Sequence, residues 1–509
     1  MHIVGRVVDG KKIIGNRMLK NIRRTLAVLF AGLLTLMLLD FTGTLHGWFA
    51  WMAKVQFLPA VMALNVGVIV FLVLLTLLFG RVYCSVICPL GVFQDGVSWI
   101  AAKRKKNRFR YSKPLHWLRY LMLALFVVAM VAGVNAFVVL LAPYSAYGRM
   151  VSALLQPLYI GMNNVLALLA ERVDSYAFYS FDVWMKSLPV LIVAIVTFVA
   201  LVVLAWRGGR TYCNTLCPVG TVLGVLSRFS LLKPVIDTQK CNGCGLCERN
   251  CKASCISSKG HAIDYSRCVA CMDCIDKCKR GAIKYTWGWT GAPKETVAAD
   301  QSGRRAFVAT AAVMTAGAAL RAEEKKVDGG LAEILDKKMP ERQTPILPPG
   351  ALTAKHFTQH CTACQLCVSA CPNGVLRPSS DLGRFMQPEL SYERGYCRPE
   401  CTRCSEVCPA GAIKPISREE KASTQVGHAV WIRKNCVVIT DDVHCGNCER
   451  HCPTGAIQMV PSDESNPRSH KIPVINAERC IGCGACENLC PARPYSAIYV
   501  EGHLATKTI

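Results

Sequence analysis

The chain has 509 residues, 52% of them hydrophobic and 18% charged, with 29 cysteines and a formal net charge of +25; its mean hydropathy is +0.29. That composition excludes a disordered tail, a collagen-like repeat and a small secreted disulfide scaffold, and it points to a membrane protein with metal-bearing extensions. Much of the positive charge flanks apolar runs, as in the block Lys103, Arg104, Lys105, Lys106, Arg108 and Arg110, so it reads as membrane topology and not as a nucleic-acid footprint.

Four segments reach the ~20 mostly apolar residues that a bilayer span requires: 25–45, 58–80, 121–142 and 188–206. A fifth stretch, 150–170, is uncharged but holds Gln156, Pro157, Asn163 and Asn164, and reads as a surface or re-entrant segment. The connecting charges alternate: +6 over residues 1–24, a single Lys54 over 41–57, +8 over 81–120, zero over 143–187 and +4 over 207–240. Positive loops stay inside. This places residues 1–24, 81–120 and 207–240 in the cytoplasm, and counting 150–170 as a span would put the +4 segment outside.

The two even-numbered spans end alike. Arg81-Val-Tyr83-Cys84-Ser-Val-Ile-Cys88-Pro89-Leu-Gly91 follows the second, and Arg210-Thr-Tyr212-Cys213-Asn-Thr-Leu-Cys217-Pro218-Val-Gly220 follows the fourth. An i,i+4 spacing on a helical turn puts each cysteine pair on one face. Two such pairs can offer four thiolates, Cys84, Cys88, Cys213 and Cys217, to one further metal centre at the cytoplasmic membrane edge. Iron–sulfur, copper and a dithiol switch all fit at this point, as do structural or acylated thiols.

The remaining cysteines sort themselves. Cys241, Cys244, Cys247 and Cys251 have the spacing C-x2-C-x2-C-x3-C, as do Cys268, Cys271, Cys274 and Cys278; Cys361, Cys364, Cys367 and Cys371; and Cys480, Cys483, Cys486 and Cys490. Two variants lie between, Cys397, Cys401, Cys404 and Cys408, and Cys436, Cys445, Cys448 and Cys452. Three close cysteines on a tight loop ligate three corners of a cubane, and the fourth, starting a helix, reaches the other cluster in two-cluster ferredoxins. A zinc ribbon would use paired C-x2-C knuckles separated by a longer stretch. The expectation is therefore six 4Fe–4S clusters on ferredoxin-like α+β domains, whose folding free energy comes largely from the clusters. Crossed ligation would join Cys241, Cys244 and Cys247 with Cys278, and Cys268, Cys271 and Cys274 with Cys251. Lys252 and Lys279 stand where Pro usually follows the fourth cysteine, and Cys255 is either a substitute ligand or a spare thiol. Adjacent and nested pairings are both open for the last four quartets.

The expected organisation is a four-helix membrane domain (1–235), a cytoplasmic two-cluster domain (236–286), a linker (287–350) and a four-quartet polyferredoxin domain (351–509). The linker contains Arg304-Arg305 before an Ala-rich run to Leu320. It reads as an internal twin-arginine export signal, which suits a domain loaded with clusters before it crosses. The bland alternative is an ordinary loop or a buried helix, since the run is short for a span.

On these features the first ~290 residues resemble the NapH-type membrane polyferredoxins, related to NosR, through the four spans, the paired R-x-Y-C-x3-C-P repeats, Pro143-Tyr144-Ser145 and the two-cluster domain. Residues ~300–500 resemble the NapG type through the twin-arginine segment, Leu347-Pro348-Pro349-Gly350-Ala351 and four quartets with irregular middle members. The resemblance implies a fusion of the two, a quinol dehydrogenase component of anaerobic respiration. It would sit in the inner membrane with its N-terminus cytoplasmic and its polyferredoxin domain periplasmic. Quinol or quinone would be its membrane substrate, and a periplasmic reductase or electron carrier its partner.

The residues agree with an electron relay. No C-x-x-C-H occurs, so no c-type haem is expected, and the eleven histidines do not pair within spans, against a b-type haem. No Rossmann signature is present. Asp40 and His46, at the outer end of the first span, are candidate proton acceptors for quinol oxidation. The rival reading is a maturation factor that reduces copper or a disulfide for another enzyme through the C-x3-C pairs.

Overall fold

The computed structural model describes residues 2–40, 43–104, 109–181, 183, 185–287, 335–463 and 465–508, with side chains from Met18 onward. Arg304, Arg305 and the Ala-rich run lie outside the described residues.

Helix α1 (His2–Leu39) is followed by α2 (Val66–Phe79), α3 (Pro89–Arg104), α4 (His116–Ala132), α5 (Asn135–Leu141), α6 (Pro143–Met150), α7 (Gln156–Glu171), α8 (Leu188–Gly208) and α9 (Pro218–Leu226). Among the described residues, three helical stretches are long and apolar enough to cross a membrane: Met18–Leu39, Pro143–Glu171 and Leu188–Gly208. Two expected spans are broken. Residues 58–80 split at Leu64, which takes φ 51, and Asn65, whose side chain caps α2. Residues 121–142 split at Gly133, which takes φ 75. Conversely, the stretch read as a surface segment belongs to the long helix Pro143–Glu171, joined through a π turn at Val151–Leu155. Averaged hydropathy does not register a one-residue break, and two asparagines do not stop a helix.

Among the described residues, four chain passes run between two cysteine-rich units. On α1, Lys20 pairs with Asp276 at 2.7 Å and Arg24 with Asp273 at 3.1 Å in the first unit. Just beyond its other end, Gly43 abuts Arg403 of the second unit. Twenty residues at 1.5 Å each span about 30 Å, the thickness of a hydrocarbon core. The 57–79 pass has Ala63 against Gly411 of the second unit, and its Phe79 carbonyl accepts from Tyr285 of the first at 2.9 Å. The α4–α5 pass begins with Arg119 on Ser266 at 3.1 Å and ends with Val139 packed with Ala363 and Met386. On α8, Val190 joins that same apolar group, and beyond the helix Arg210 N–H donates to the Lys252 carbonyl at 2.8 Å.

The first unit pairs Leu232–Ile236 antiparallel with Ile283–Trp287, and Ile256–Ser257 with Ala262–Ile263. The second carries three more antiparallel pairs: Leu376–Pro378 with Pro388–Leu390, Ile457–Pro461 with Lys471–Ile475, and Thr424–Trp431 with Ile498–Thr508. Residues 335–350, expected in the linker, are part of this second unit. Lys337 donates to the carbonyls of Glu487, Asn488 and Cys490 at 2.7, 2.7 and 3.0 Å, and Ile346 and Leu347 are buried.

Candidate iron–sulfur sites

The four regular quartets share one backbone device. Counting from the first cysteine, the residues at i+2 and i+4 are left-handed in all four: Gly243 and Gly245, Ala270 and Met272, Ala363 and Gln365, Gly482 and Gly484, with φ between 48 and 77. These turns aim N–H groups inward: Cys361 accepts from Ala363, Cys364 from Leu366, Cys480 from Gly482 and Cys483 from Ala485. Non-glycine residues hold that conformation only at a cost of ~1–2 kcal/mol each, so Ala270, Met272, Ala363 and Gln365 mark a backbone shaped for something it wraps.

Sequence left the pairing open, and the structure settles its geometry. Cys408 is the remote sulfur in electrostatic contact with Cys361, Cys364 and Cys367, and Cys371 lies with Cys397, Cys401 and Cys404. Likewise Cys490 lies with Cys445 and Cys448, and Cys452 with Cys480 and Cys483. Cys436 shares the apolar core of that second group. The quartets are therefore crossed between sequence neighbours and not nested. In the first unit Cys251 and Cys255 line an apolar cavity together with Cys268, Cys271 and Cys274. Cys247 faces Cys241 and Cys244.

Burial pushes these thiols up, Cys364, Cys448 and Cys483 each to about 12. Loading a cluster would release those protons, and thiol sulfurs with N–H groups aimed at them are the donor chemistry a cubane takes. Cys251 and Cys268 are exceptions: the Cys255 thiol, whose sulfur lies 3.5 Å from that of Cys251, lowers Cys251 to about 7 and lowers Cys268 as well.

The membrane repeat brings its four cysteines together, each at most 4% exposed. The remaining motif residues explain themselves as a reciprocal clamp. Arg81 donates to Asn214 Oδ1 at 2.9 Å and to the Cys213 carbonyl at 3.2 Å, while Arg210 donates to the Cys84 carbonyl at 2.7 Å. Each arginine thus ties its own copy to the other. Gly91 and Gly220 are required by close approach: a Cβ there would collide with the carbonyls of Cys84 and Cys213 respectively. Tyr83 donates to Gln56 Oε1 at 3.1 Å, and Tyr212 to the Leu141 carbonyl at 2.9 Å. Two sulfur contacts come from groups the sequence reading passed over or treated as punctuation: Gln94 Nε2 lies 3.3 Å from Cys213 Sγ, and Gly220 N–H lies 3.3 Å from Cys217 Sγ.

Asp95 was also missed. It collects Arg210 at 2.8 Å, Lys252 at 3.2 Å and Arg23 at 3.6 Å, and these cations hold its carboxyl well below the usual range. Lys252 also meets Asp273 at 2.9 Å. A proline at position 252 would lack this ammonium, which accounts for the departure from pattern there. Asp40 and His46 contact each other at 3.1 Å, both buried, at the end of α1 nearest Arg403. Asp40 also accepts from the Gly43 and Leu45 N–H groups, so it caps the turn.

One buried apolar core contains Cys271, the four membrane cysteines, Tyr144, Met150, Cys364 and Cys367. At its edge, Cys397 N–H donates to the Cys483 carbonyl at 2.9 Å, and Tyr392, in electrostatic contact with both sulfurs, donates to the Gly482 carbonyl at 2.6 Å. The cages thus form a chain: the Cys268 cage, the membrane cysteines, the Cys361 cage, the Cys397 cage, the Cys480 cage and the Cys445 cage.

Cages of this spacing on ferredoxin-like domains, attached to apolar helices of spanning length, define an iron–sulfur electron-transfer protein. Residues 61–108 and 190–236 match the family described as a 4Fe-4S binding domain, and residues 360–412 and 443–493 match the 4Fe-4S dicluster domain. The first of these covers both copies of the membrane repeat, and the second follows the crossed pairing. The methylamine utilization ferredoxin-type protein MauM of Methylophilus methylotrophus is 30% identical over 162 residues, 31% of this chain and 71% of that protein. The ferredoxin-type protein NapF of Escherichia coli K12 is 28% identical over 179 residues, 35% of this chain and 99% of that protein. YccM of the same organism, named for electron transport, is 24% identical over 225 residues, 43% of this chain and 55% of that protein. The chain belongs to this ferredoxin-type polyferredoxin family. No solved structure matches it.

Proposed function

We propose that the protein is a membrane-anchored iron–sulfur relay that moves electrons between the quinol pool and a redox partner outside the cytoplasm. The first cage unit would face the cytoplasm and the second the extracytoplasmic side, as a quinol dehydrogenase component of anaerobic respiration. The observation that carries the reading is the separation of the two units by about one hydrocarbon thickness along α1, with the four membrane cysteines in the buried core that joins them. The loop charges agree in direction, since the +6, +8 and +4 segments all lie toward the first unit.

The residues around the membrane cysteines suit a 4Fe–4S centre. A cubane of net +2 held by four thiolates carries −2, and the guanidiniums of Arg81 and Arg210 are fully buried beside it. When bound, such clusters take up and release single electrons. The chain's own contribution is to fix the sulfurs, exclude water and balance the charge. The six quartets would hold six more.

The test is anaerobic addition of a short-tailed quinol to the membrane-extracted protein, followed by EPR. Reduced 4Fe–4S signals should grow in stoichiometric amounts. A protein whose clusters respond to dithionite but never to quinol or quinone would overturn the reading and leave the maturation role standing.

A further inference from the structure

A cavity of about 370 Å³ lies between α7, α8 and the second cage unit, within the size range of small-molecule sites. Its walls are mostly apolar, among them Ala153, Ile160, Met185 and Leu191, and it is closed on the cage side by Gln365. Two polar groups converge in it. Gln156 is only 4% exposed, and its Oε1 accepts from Lys186 Nζ at 3.0 Å. The Lys186 ammonium is in electrostatic reach of the Cys367 and Cys371 sulfurs, one from each cage of the first crossed pair. The helices on either side present exposed apolar residues outward, Leu158 and Met162 on α7 and Leu188 and Ile192 on α8. Nothing in the relay described above uses this cavity.

We propose that this cavity is the quinol site, with Gln156 and Lys186 receiving the headgroup and the apolar walls receiving the ring and the start of the tail. The inference rests on the relay reading and deepens it. An apolar chamber beside exposed apolar helix faces suits a lipid-soluble ring. Lys186 Nζ offers hydrogen-bond donors to a headgroup oxygen, and Gln156 offers both an acceptor and a donor. On oxidation, the quinol would release its two O–H protons to solvent; the 172–180 loop, just before the cavity-lining residues 183–191, is exposed. The quinol loses two electrons in succession, passed to the oxidised 4Fe–4S centres that the Cys361 and Cys397 cages would hold. The C–O bonds shorten to carbonyls and nothing else is consumed.

This location separates two routes. Quinol electrons would join the chain at the Cys361 cage, outward of the membrane cysteines. Those cysteines would then serve exchange with the cytoplasmic unit alone.

The experiment uses the full-length, cluster-loaded protein in lipid nanodiscs. A short-tailed azidoquinone is photolysed in place and the labelled peptides are mapped by mass spectrometry. Label should fall within residues 152–160 or 183–191 and disappear with excess unlabelled quinone. Ala153→Phe, which fills the chamber, and Gln156→Leu, which keeps its volume, should each weaken quinone binding at least tenfold with iron content unchanged. Label elsewhere, label displaced by phospholipid but not by quinone, or wild-type binding in both cavity variants would overturn the proposal. If quinol fails to reduce the wild-type clusters at all, the relay itself falls; if it reduces them and the cavity variants do not matter, only this site does.

Discussion

Asp95→Asn tests how the first cage unit is fastened to the helices. The carboxylate is the shared partner of Arg210, Lys252 and Arg23, from three separate parts of the chain. Removing one member of a buried ion pair typically costs ~3–5 kcal/mol, because the partner's charge stays buried. Lys252 is cushioned, since Asp273 remains 2.9 Å away. Arg210 is not: its side chain is 0% exposed, and the Cys84 carbonyl becomes its nearest oxygen partner. The expected loss is therefore at the lower end, about 3 kcal/mol. The exposed Asp381–Arg384 pair supplies the contrast, with its aspartate 55% exposed. Asp381→Asn should cost less than ~1 kcal/mol. The assay is thermal unfolding of the extracted protein followed by the visible absorbance of its clusters, with a double-mutant cycle against Arg210→Gln. The carboxyl of Asp95 titrates below its unfolded value of ~3.9. Its contribution is thus complete above that pH and disappears only as pH falls through the folded value. The gap between wild type and Asp95→Asn should stay constant from pH 8 to about 5 and close in stronger acid. A variant no less stable than Asp381→Asn, or a gap that closes near neutrality, would refute the reasoning.

Gly220→Ala should selectively damage the membrane centre. The added methyl meets the Cys213 carbonyl and comes to 2.9 Å from Arg81 Nη2, an overpacking cost of ~1–3 kcal/mol, and EPR should lose that centre while the outer dicluster signals persist. Cys251→Ser alone should retain an intact four-cysteine cluster by recruiting Cys255, whose sulfur is 3.5 Å from that of Cys251. The double variant with Cys255→Ser should show a three-iron EPR signal, and a three-iron signal already in the single variant would reject Cys255 as the reserve ligand.

Much of the site was legible because cluster ligation is encoded locally. A cubane sets the spacing of three cysteines within seven residues, so a one-dimensional pattern carries three-dimensional geometry. The same holds for the repeat R-x-Y-C-x3-C-P-x-G, whose duplication alone announced two related halves. What the residues could not reveal was the role of each motif member. That Arg81 serves Cys213, and Arg210 serves Cys84, is a contact across more than 120 positions. Gln94 and Asp95 carry no spacing signal at all, since an isolated polar pair in a basic loop looks like solvated surface. The long helix Pro143–Glu171 was not legible as one continuous element, because Gln156, Pro157, Asn163 and Asn164 interrupt its apolar run.

By itself the sequence determined the type of cage, the apolar character of the helices and the asymmetry of their flanking charge. These depend on neighbours a few residues apart or on composition. Only the tertiary structure decided which fourth cysteine lies beside which triad, that residues 335–350 belong to the second unit, and that one buried core links cages more than a hundred residues apart. Those outcomes depend on how separate elements pack, and packing energy is shared among residues that no local pattern connects.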